Sequence, residues 1–341
     1  MQKTFFFLAV LSILSFHYES PAFSNTHSTT NKSKEEDKAD SLSAIEDCKK
    51  CMILTDISQH RIVIANTESQ SIIWQWDMKQ SNIDKKYLKW FINYSDVKPV
   101  YDQKYVLISS SAGGVALIRI ADKKVVFYAY AGGNTHSIEL LPDGNIVSAS
   151  STDSYLTIFT VDTMNVGENA YSKRISIENA HNVVWDLKNK VLWSASMNKL
   201  KAFEYNFNCK RPDLILKDTY DLPETNAHDL FPVYGKNALW VTTEGNVYRF
   251  DTKKKKAILA EDVLTQKGIK SISSGPRGFP VILSKPKVSW WTDEIIDPQG
   301  KSVFFQSGLQ IYKVRWFLQN HFSYLPGDTF RQCTQSGAGI P

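Results

Sequence analysis

The stretch HSIELLPDGNIVSAS, at His136–Ser150, is followed further along the chain by HNVVWDLKNKVLWSAS, at His181–Ser196, and the two share one layout. In each, a histidine opens a short apolar strand, and a polar turn leads into a second apolar strand that ends in Ser-Ala-Ser. The layout recurs about every 43 residues, so the chain consists of six internal repeats. The basic residues that open the six repeats are Lys98, His136, His181, His228, Lys270 and Lys313.

A repeat of this length with four strand-like segments is typical of a β-propeller, in which four-stranded blades pack radially around a central channel. The sequence therefore predicts an all-β fold, a six-bladed β-propeller. Three strands near the N-terminus, MILTD, RIVIAN and SIIWQWD, have no inner strand before them, and KVRWFL at 313–318 has no outer strands after it. We expect one C-terminal and three N-terminal strands to form one blade, because this closure leaves no open sheet edge. Residues 81–95 interrupt the strand pattern and predict a short helix.

The N-terminal 24 residues have the features of a cleaved signal peptide. Lys3 precedes an apolar run that is too short to span a bilayer, and small residues follow at Ala22–Ser24. Residues 25–47 are polar and charged and predict a flexible linker. We expect one propeller domain at 48–335, a C-terminal tail at 336–341, and a secreted or periplasmic protein without a membrane span.

The charge balance is modest, with a net charge of +5 from 40 basic and 35 acidic residues. It does not single out a polyanionic partner, and no nucleic-acid binding is predicted. The run Lys253–Lys256 is expected to be a solvated blade edge that discourages strand pairing. We expect a monomer.

Four cysteines, Cys48, Cys51, Cys209 and Cys333, favour a disulfide in a chain that carries an export signal. Cys51 precedes the first strand and Cys333 follows the last, so a bridge from Cys48 or Cys51 to Cys333 would fasten the two ends. The spacing of Cys48 and Cys51 also matches a redox pair, but no βαβ pattern surrounds it, and redox catalysis is not expected.

Residues that open the innermost strand of every blade should form a ring around one mouth of the channel. The lysines of this ring supply positive charge, and the imidazoles can donate hydrogen bonds to carboxylate, sulfate or phosphate groups. Neighbouring cations lower the pKa of each histidine and a bound anion raises it, so binding should strengthen as the pH falls. We therefore predict that the mouth binds an anionic small molecule or saccharide. The predicted binding residues are Lys98, His136, His181, His228, Lys270, Lys313 and Arg315.

Four other interpretations of the ring and the fold remain open. Three neutral imidazoles, His136, His181 and His228, can hold a divalent metal, although the neighbouring lysines oppose this and no other cofactor is expected. A histidine can also act as nucleophile or base in a lyase, hydrolase or sulfuryl transferase, with no catalytic residue assigned. Alternatively, each histidine only caps its strand, or the outer surface serves as a protein-interaction scaffold.

The stretches that carry a family resemblance are GGVALIRIADKKVVFYAYAGGNTHSIELLPDGNIVSASS at 113–151, AHNVVWD at 180–186, AHDLFPV at 227–233 and YKVRWF at 312–317. Over about residues 52–317 the chain resembles an uncharacterised family of secreted bacterial propeller-like proteins, a domain of unknown function. This resemblance implies the six-bladed fold and no activity. THSIELLPDGN alone, at 135–145, is similar to bacterial arylsulfotransferases, which are exported six-bladed propellers. That likeness implies sulfuryl transfer, and of the channel residues only His136 matches it.

Overall fold

Residues 41–263 and 267–333, which a computed structural model describes, form six four-stranded antiparallel sheets arranged as a ring. In five sheets the four strands follow one another in sequence from the channel outward. The prediction of a six-bladed β-propeller is confirmed. We number the blades from the one that contains the first strand.

The first three blades are built from strands named here from the channel outward. Blade 1 contains β24 (Ile311–Trp316), β1 (Cys51–Asp56), β2 (Arg61–Asn66) and β3 (Ser71–Asp77). Blade 2 contains β4 (Tyr94–Val100), β5 (Tyr105–Ser110), β6 (Gly114–Arg119) and β7 (Val125–Tyr130). Blade 3 contains β8 (Thr135–Leu140), β9 (Ile146–Ser150), β10 (Tyr155–Phe159) and β11 (Ser172–Ser176).

The other three blades follow the same scheme. Blade 4 contains β12 (Val184–Asp186), β13 (Val191–Ser196), β14 (Lys199–Tyr205) and β15 (Leu214–Asp221). Blade 5 contains β16 (Asp229–Pro232), β17 (Ala238–Thr242), β18 (Val247–Asp251) and β19 (Lys256–Leu259). Blade 6 contains β20 (Ser271–Ser273), β21 (Ile282–Ser284), β22 (Glu294–Ile296) and β23 (Ser302–Phe305).

Blade 1 closes the ring as predicted, since its inner strand β24 comes from the C-terminal part of the chain and its three outer strands from the N-terminal part. β24 pairs with β1 in an antiparallel register that places Ile53 opposite Arg315. The remaining regular structure between blades 1 and 2 consists of two 3₁₀ helices, Met78–Gln80 and Lys85–Phe91. The second of them lies where the short helix was predicted.

The core is divided into six hydrophobic clusters, one between each pair of neighbouring blades. Strand β13 contributes side chains to two of these clusters. Leu192 packs toward blade 3, whereas Val191, Trp193 and Ala195 pack toward blade 5. Because alternate residues of a strand point to opposite faces and both faces are covered, apolar residues occur on both faces of the strand, and its two serines, Ser194 and Ser196, are buried as well.

The predicted linker at 25–47 is helical at residues 41–46, the part of it where the structure describes secondary structure. Leu42 and Ile45 pack against the cluster between blades 1 and 2, and burial of these two apolar side chains stabilises this helical part of the segment. The predicted signal peptide, residues 25–40 and the predicted tail lie outside the described residues. Within the described part of the chain, no helix is long and apolar enough to cross a membrane.

Residues 317–333, which we call the C-terminal strap, run across the face of the ring opposite the histidines. Leu187 N donates to Phe322 O at 3.1 Å, and Ser323 Oγ donates to Trp185 O at 2.8 Å. Both bonds lie at the far end of inner strand β12, beyond which the channel would otherwise open. The strap therefore covers one end of the channel and leaves a single mouth.

The strap also explains why the predicted bridge between Cys51 and Cys333 is wrong. Cys333 pairs with Cys209 in the loop between β14 and β15, and Cys48 pairs with Cys51. Cys333 N also donates to Val161 O at 3.1 Å, beside blade 3. The strap carries Cys333 across the ring and away from blade 1, a course that the position of this cysteine after the last strand does not reveal.

Candidate functional site

The starts of the inner strands lie at one mouth of the channel, and hydrogen bonds between neighbouring blades fix their register. Asp229 Oδ2 accepts from Ile272 N at 3.0 Å, and Ser271 Oγ accepts from Val314 N at 2.9 Å. Each bond joins the second residue of one blade's inner segment to the third residue of the next. The first residues of the six segments are therefore Ser95, His136, His181, His228, Lys270 and Tyr312.

Backbone hydrogen bonds hold these first residues against the second strand of their own blade. His181 N donates to Ala195 O at 3.0 Å, His228 N to Thr242 O at 2.8 Å, and Lys270 N to Ser284 O at 2.9 Å. Since the backbone is fixed in this way, each side chain is held at the mouth by a backbone anchored to the adjacent strand of its own blade.

The mouth encloses a cavity of about 380 Å³, a size that suits a small ligand. We call it the histidine cavity. It contains the three predicted histidines and Lys270, which confirms that these four residues come together. It also contains two residues that the sequence analysis did not place in the site, Tyr312 and Trp290. The lining residues include His136, His181, His228, Lys270, Trp290 and Tyr312.

The three imidazoles are in contact with one another. His136 and His181 stack with ring centroids 4.2 Å apart, and His228 meets His181 edge to face at 5.5 Å. The Tyr312 hydroxyl lies 3.5 Å from His136 Nδ1. Three residues contributed by blades 3, 4 and 5 therefore form one continuous wall of the cavity.

Lys270 fixes the protonation of its neighbour. Its Nζ lies 3.2 Å from His228 Nε2, and an ammonium group has only hydrogens to offer, so Nε2 accepts and Nδ1 carries the proton. His228 Nδ1 has no hydrogen-bond partner among the described residues, and His181 Nε2 has none either. The cavity wall thus holds two buried ring nitrogens without a hydrogen-bond partner among the described residues.

The histidines are neutral at physiological pH. Burial, followed by the charge of Lys313, lowers the pKa of His136 to about 3. Burial and the charge of Lys270 lower the pKa of His228 to about 4, and burial beside His136 lowers the pKa of His181 well below its usual value. Burial also lowers the pKa of Lys270.

Lys98, Lys313 and Arg315 do not line the mouth, and the predicted six-membered basic ring is wrong in this respect. They lie deeper in the channel, at most 2% exposed, each in contact with a carboxylate. Lys313 is the second residue of its segment rather than the first, because Tyr312 holds the first position. Lys98 and Arg315 hold the fourth position, and a charge buried there is retained only with a partner.

The carboxylates that neutralise these cations are Asp96, Glu139 and Asp229. Arg315 donates to both oxygens of Asp229 at 2.6 Å, and Lys313 Nζ lies 3.1 Å from Asp229 Oδ1. Lys98 Nζ donates to Glu139 Oε2 at 3.1 Å. Three cations and three carboxylates form a charge-balanced network beneath the histidine cavity, which we call the ion layer. The residues of the ion layer are Asp96, Lys98, Glu139, Asp229, Lys313 and Arg315.

The two aspartates of the ion layer keep their charges at neutral pH. Burial raises the pKa of the Asp229 carboxyl, but the nearby Arg315 and Lys313 outweigh burial and hold this pKa well below its usual value. Asp96 shows the same balance, with Lys313 as the main opposing charge. Because opposite charges cancel within the layer, the field that reaches the cavity comes mainly from Lys270 and the nearby end of Lys313.

A pattern that could have given the correct register is the apolar third residue of each segment. The triplets Ser-Asp-Val, His-Ser-Ile, His-Asn-Val, His-Asp-Leu, Lys-Ser-Ile and Tyr-Lys-Val align on this residue. They place Tyr312 in the ring and Lys313 below it. Trp290 has no such signal, because it lies in the irregular loop between β21 and β22.

The geometry of the imidazoles bears on the metal hypothesis. Two rings with planes 17° apart and centroids 4.2 Å apart cannot both direct an in-plane lone pair at one ion. Among the described residues, no group of three or more His, Cys, Asp or Glu side chains is arranged to hold a metal. The arrangement instead favours hydrogen bonding to a polar ligand.

Comparisons with known proteins agree with the fold. The family described as "Family of unknown function (DUF6528)" matches residues 12–330. A protein of unknown function from Bacteroides caccae is 15% identical, with a TM-score of 0.53, over 78% of this chain and 98% of that chain. These findings bear out the resemblance to an uncharacterised family, and the expected likeness to arylsulfotransferases is not shown.

Two further solved structures are similar at lower TM-scores. A functionally unknown protein from Desulfotomaculum acetoxidans is 12% identical over 76% of this chain and 96% of that chain, with a TM-score of 0.47. Dihydro-heme d1 dehydrogenase NirN is 12% identical over 72% of this chain and 60% of that chain, with a TM-score of 0.43. No curated protein matches the chain.

Proposed function

The chain belongs to this family of unknown function, so its activity has to be inferred from its own residues, and we propose that the histidine cavity binds a small acidic saccharide. Lys270 is the only charged residue that lines the cavity among the described residues. It forms no ion pair there, and its contact within hydrogen-bond distance is His228. Glu244, which does not line the cavity, acts on this charge without forming an ion pair with it. The charge of Lys270 carries the proposal, since it suits a ligand with one carboxylate or sulfate group.

The neutral imidazoles add directed hydrogen bonds to that charge. His228 Nδ1 carries a proton and lacks a partner within the described chain, so one ligand oxygen can accept from it. Lys270 lies on the opposite, Nε2 side of the same ring, where a separate anionic oxygen meets it in a charge-assisted bond. Such charge-assisted bonds are roughly twice as strong as neutral ones. The ligand would thereby satisfy a polar atom that the free protein leaves buried and unpaired.

Trp290 supplies the surface for a sugar ring. Its side chain lines the histidine cavity and is 43% exposed, although large aromatic side chains are usually more deeply buried. An exposed indole beside a polar cavity offers an apolar face for the carbon-bound hydrogens of a saccharide. Asn93, Ser111 and Asn134 also line the cavity and can bond hydroxyl groups.

Calorimetric titration with galacturonate and with galactose tests the proposal, because these sugars differ mainly in the carboxylate. We expect galacturonate to bind and galactose to bind at least tenfold more weakly, a difference of about 1.4 kcal/mol. Lys270→Gln should reduce the affinity for galacturonate to that for galactose, and Trp290→Ala should weaken both sugars. Lys253→Gln removes the same charge from an exposed blade edge and serves as the matched control.

Equal binding of the two sugars, or the same loss in Lys253→Gln as in Lys270→Gln, would contradict the proposal. If neither galacturonate nor a sulfated galactose bound, the histidine cavity would not be an acidic saccharide site.

Acid–base catalysis is a second candidate, favoured by the contact between the Tyr312 hydroxyl and His136 Nδ1. A neutral imidazole can accept a proton from a bound sugar, and the Tyr312 hydroxyl beside His136 can donate one. Incubation of an acidic oligosaccharide with the protein, followed by mass spectrometry, separates the two functions. A product that His136→Gln abolishes would support catalysis, and unchanged ligand would support binding alone.

A further inference from the structure

A second cavity, of about 410 Å³, lies on the strap side of the ring, far from the histidines. One wall comes from the ends of inner strands and includes Phe231 and Trp316, and the opposite wall comes from the C-terminal strap and includes Leu318 and Phe322. We call it the strap cavity. Its volume lies within the range of sites for small organic ligands.

The walls of the strap cavity are aromatic and have few polar groups left to satisfy. The indole nitrogen of Trp316 donates to Pro280 O at 2.9 Å, so the part of this ring that remains is hydrocarbon. The guanidinium of Arg315 covers Phe231, 4.1 Å from the ring centroid. Tyr234, which is 37% exposed, adds a further ring at the edge. Flat rings on several sides favour a flat apolar ligand.

The rim of the strap cavity is basic. Lys188 and Lys236 line it and are exposed, and His321 lies beside them. No aspartate or glutamate lines this cavity among the described residues. The chain as a whole carries nearly equal numbers of basic and acidic residues, 40 against 35, so a rim with lysines alone departs from the average surface. The rim attracts an anionic group.

One half-buried hydroxyl donor complements the rim. Ser274 Oγ accepts from Trp240 Nε1 at 3.1 Å and from Tyr234 N at 3.0 Å, which occupies both of its lone pairs. Its own proton has no acceptor among the described residues. Because Ser274 lines the strap cavity, that proton can be donated to a ligand oxygen.

From these observations we propose that the strap cavity binds a planar aromatic carboxylate. The ring lies between the aromatic walls, and the carboxylate meets Lys188, Lys236 and the Ser274 hydroxyl. This site is separate from the histidine cavity and does not depend on the function proposed for it.

Titration with naphthoate and with the uncharged naphthylmethanol, followed by calorimetry, tests the proposal. We expect naphthoate to bind and naphthylmethanol to bind at least fivefold more weakly. The double variant Lys188→Gln/Lys236→Gln should remove this preference for the acid, and Tyr234→Ala should weaken both ligands. These residues are exposed, so the variants should fold, which thermal unfolding of each variant checks.

The double variant Lys253→Gln/Lys254→Gln makes the same change in net charge on an exposed edge and should bind naphthoate as the unaltered protein does. No binding of naphthoate, or equal binding of the acid and the alcohol, would overturn the proposal. A loss of naphthoate binding in Lys270→Gln but not in Lys188→Gln/Lys236→Gln would place the aromatic acid in the histidine cavity and also overturn it.

Discussion

His136 and His181 stack face to face, with ring centroids 4.2 Å apart and ring planes 17° apart. Protonation of both rings would place two positive charges side by side in a partly buried site, so the pair is stable only when at least one ring is neutral. The stacked pair therefore stays neutral at lower pH values than an isolated histidine does. Its neutrality determines how the cavity responds to pH and to ligands.

Removing the charge of Lys270 should raise the pKa of His228. After burial, Lys270 is the largest cause of the lowered His228 pKa, which is about 4. In Lys270→Gln we expect this pKa to move toward 6.5, with the His136 pKa moving less because Lys313 acts on it more strongly. Histidine ring proton shifts in an NMR titration measure both values. An unchanged His228 pKa would show that burial alone sets it.

The free energy of unfolding should rise between pH 4 and pH 6.5. His136 and His228 have pKa values of about 3 and about 4 in the folded protein, against 6.5 for an exposed histidine. Between these values the unfolded chain binds more protons, so stability is complete above about pH 6.5 and falls with decreasing pH. Urea unfolding across this range tests the slope. His136→Gln/His228→Gln should flatten it, and a slope of equal size in that variant would contradict the assignment.

Binding of galacturonate should strengthen as the pH falls from about 6.5 toward 4. A bound carboxylate raises the pKa of the adjacent His228, so the complex takes up a proton that the free protein does not hold. For one proton the affinity can rise by up to about tenfold per pH unit, and it levels off near the free-protein pKa. Calorimetry at several pH values measures this change. Affinity that weakens over the same range would contradict the proposed contact.

Loss of one carboxylate from the ion layer should be strongly destabilising. Asp229→Asn leaves Arg315 and Lys313 sharing Asp96, and breaking a buried pair in this way costs about 3–5 kcal/mol. Arg315→Met/Asp229→Leu removes one charge of each sign and should cost less than Asp229→Asn alone. Chemical unfolding of the three proteins decides between these orders, and a double variant less stable than the single variant would contradict the prediction.

The two disulfides should contribute unequally to stability. Cys209 and Cys333 are separated by 124 residues, whereas Cys48 and Cys51 are separated by 3. Because a bridge that closes a longer loop restricts the unfolded chain more, Cys209→Ser/Cys333→Ser should cost about 5 kcal/mol and Cys48→Ser/Cys51→Ser about 2 kcal/mol. Guanidinium unfolding of both variants tests the order. The reverse order would show that strain or residual structure dominates over loop length.

The fold could be predicted from sequence because the repeat period, the turn signals and the incomplete first and last segments are all local features. Four of the six residues named above for the histidine cavity could be predicted in the same way. His136, His181, His228 and Lys270 share a position that the repeat defines. Lys98 was wrongly aligned with the first residues of the other segments, because Ser95, which holds the first position of its segment, is neither basic nor aromatic.

The neutralisation of the deeper cations could not be predicted, because it depends on pairs that are remote in sequence. Arg315 and Asp229 are 86 residues apart, and Lys98 and Glu139 are 41 apart. The repeat indicates that these residues approach the channel, and it does not indicate the depth at which each one lies. The depth at which each residue lies decides which charges form ion pairs. Carboxylates therefore neutralise most of the cations that the sequence placed in a basic ring.

The joining of β24 to β1 has a consequence for how the protein is made. Lys313 N donates to Thr55 Oγ1 at 3.0 Å across a sequence separation of 258 residues. During synthesis the edge of β1 that pairs with β24 therefore stays unpaired until β24 has been made. An unpaired strand edge can pair with strands of other molecules. A truncated chain that stops before Ile311 can build blades but cannot close the ring. Synthesis of β24 is thus a condition for covering the edge of β1 as well as for forming the site.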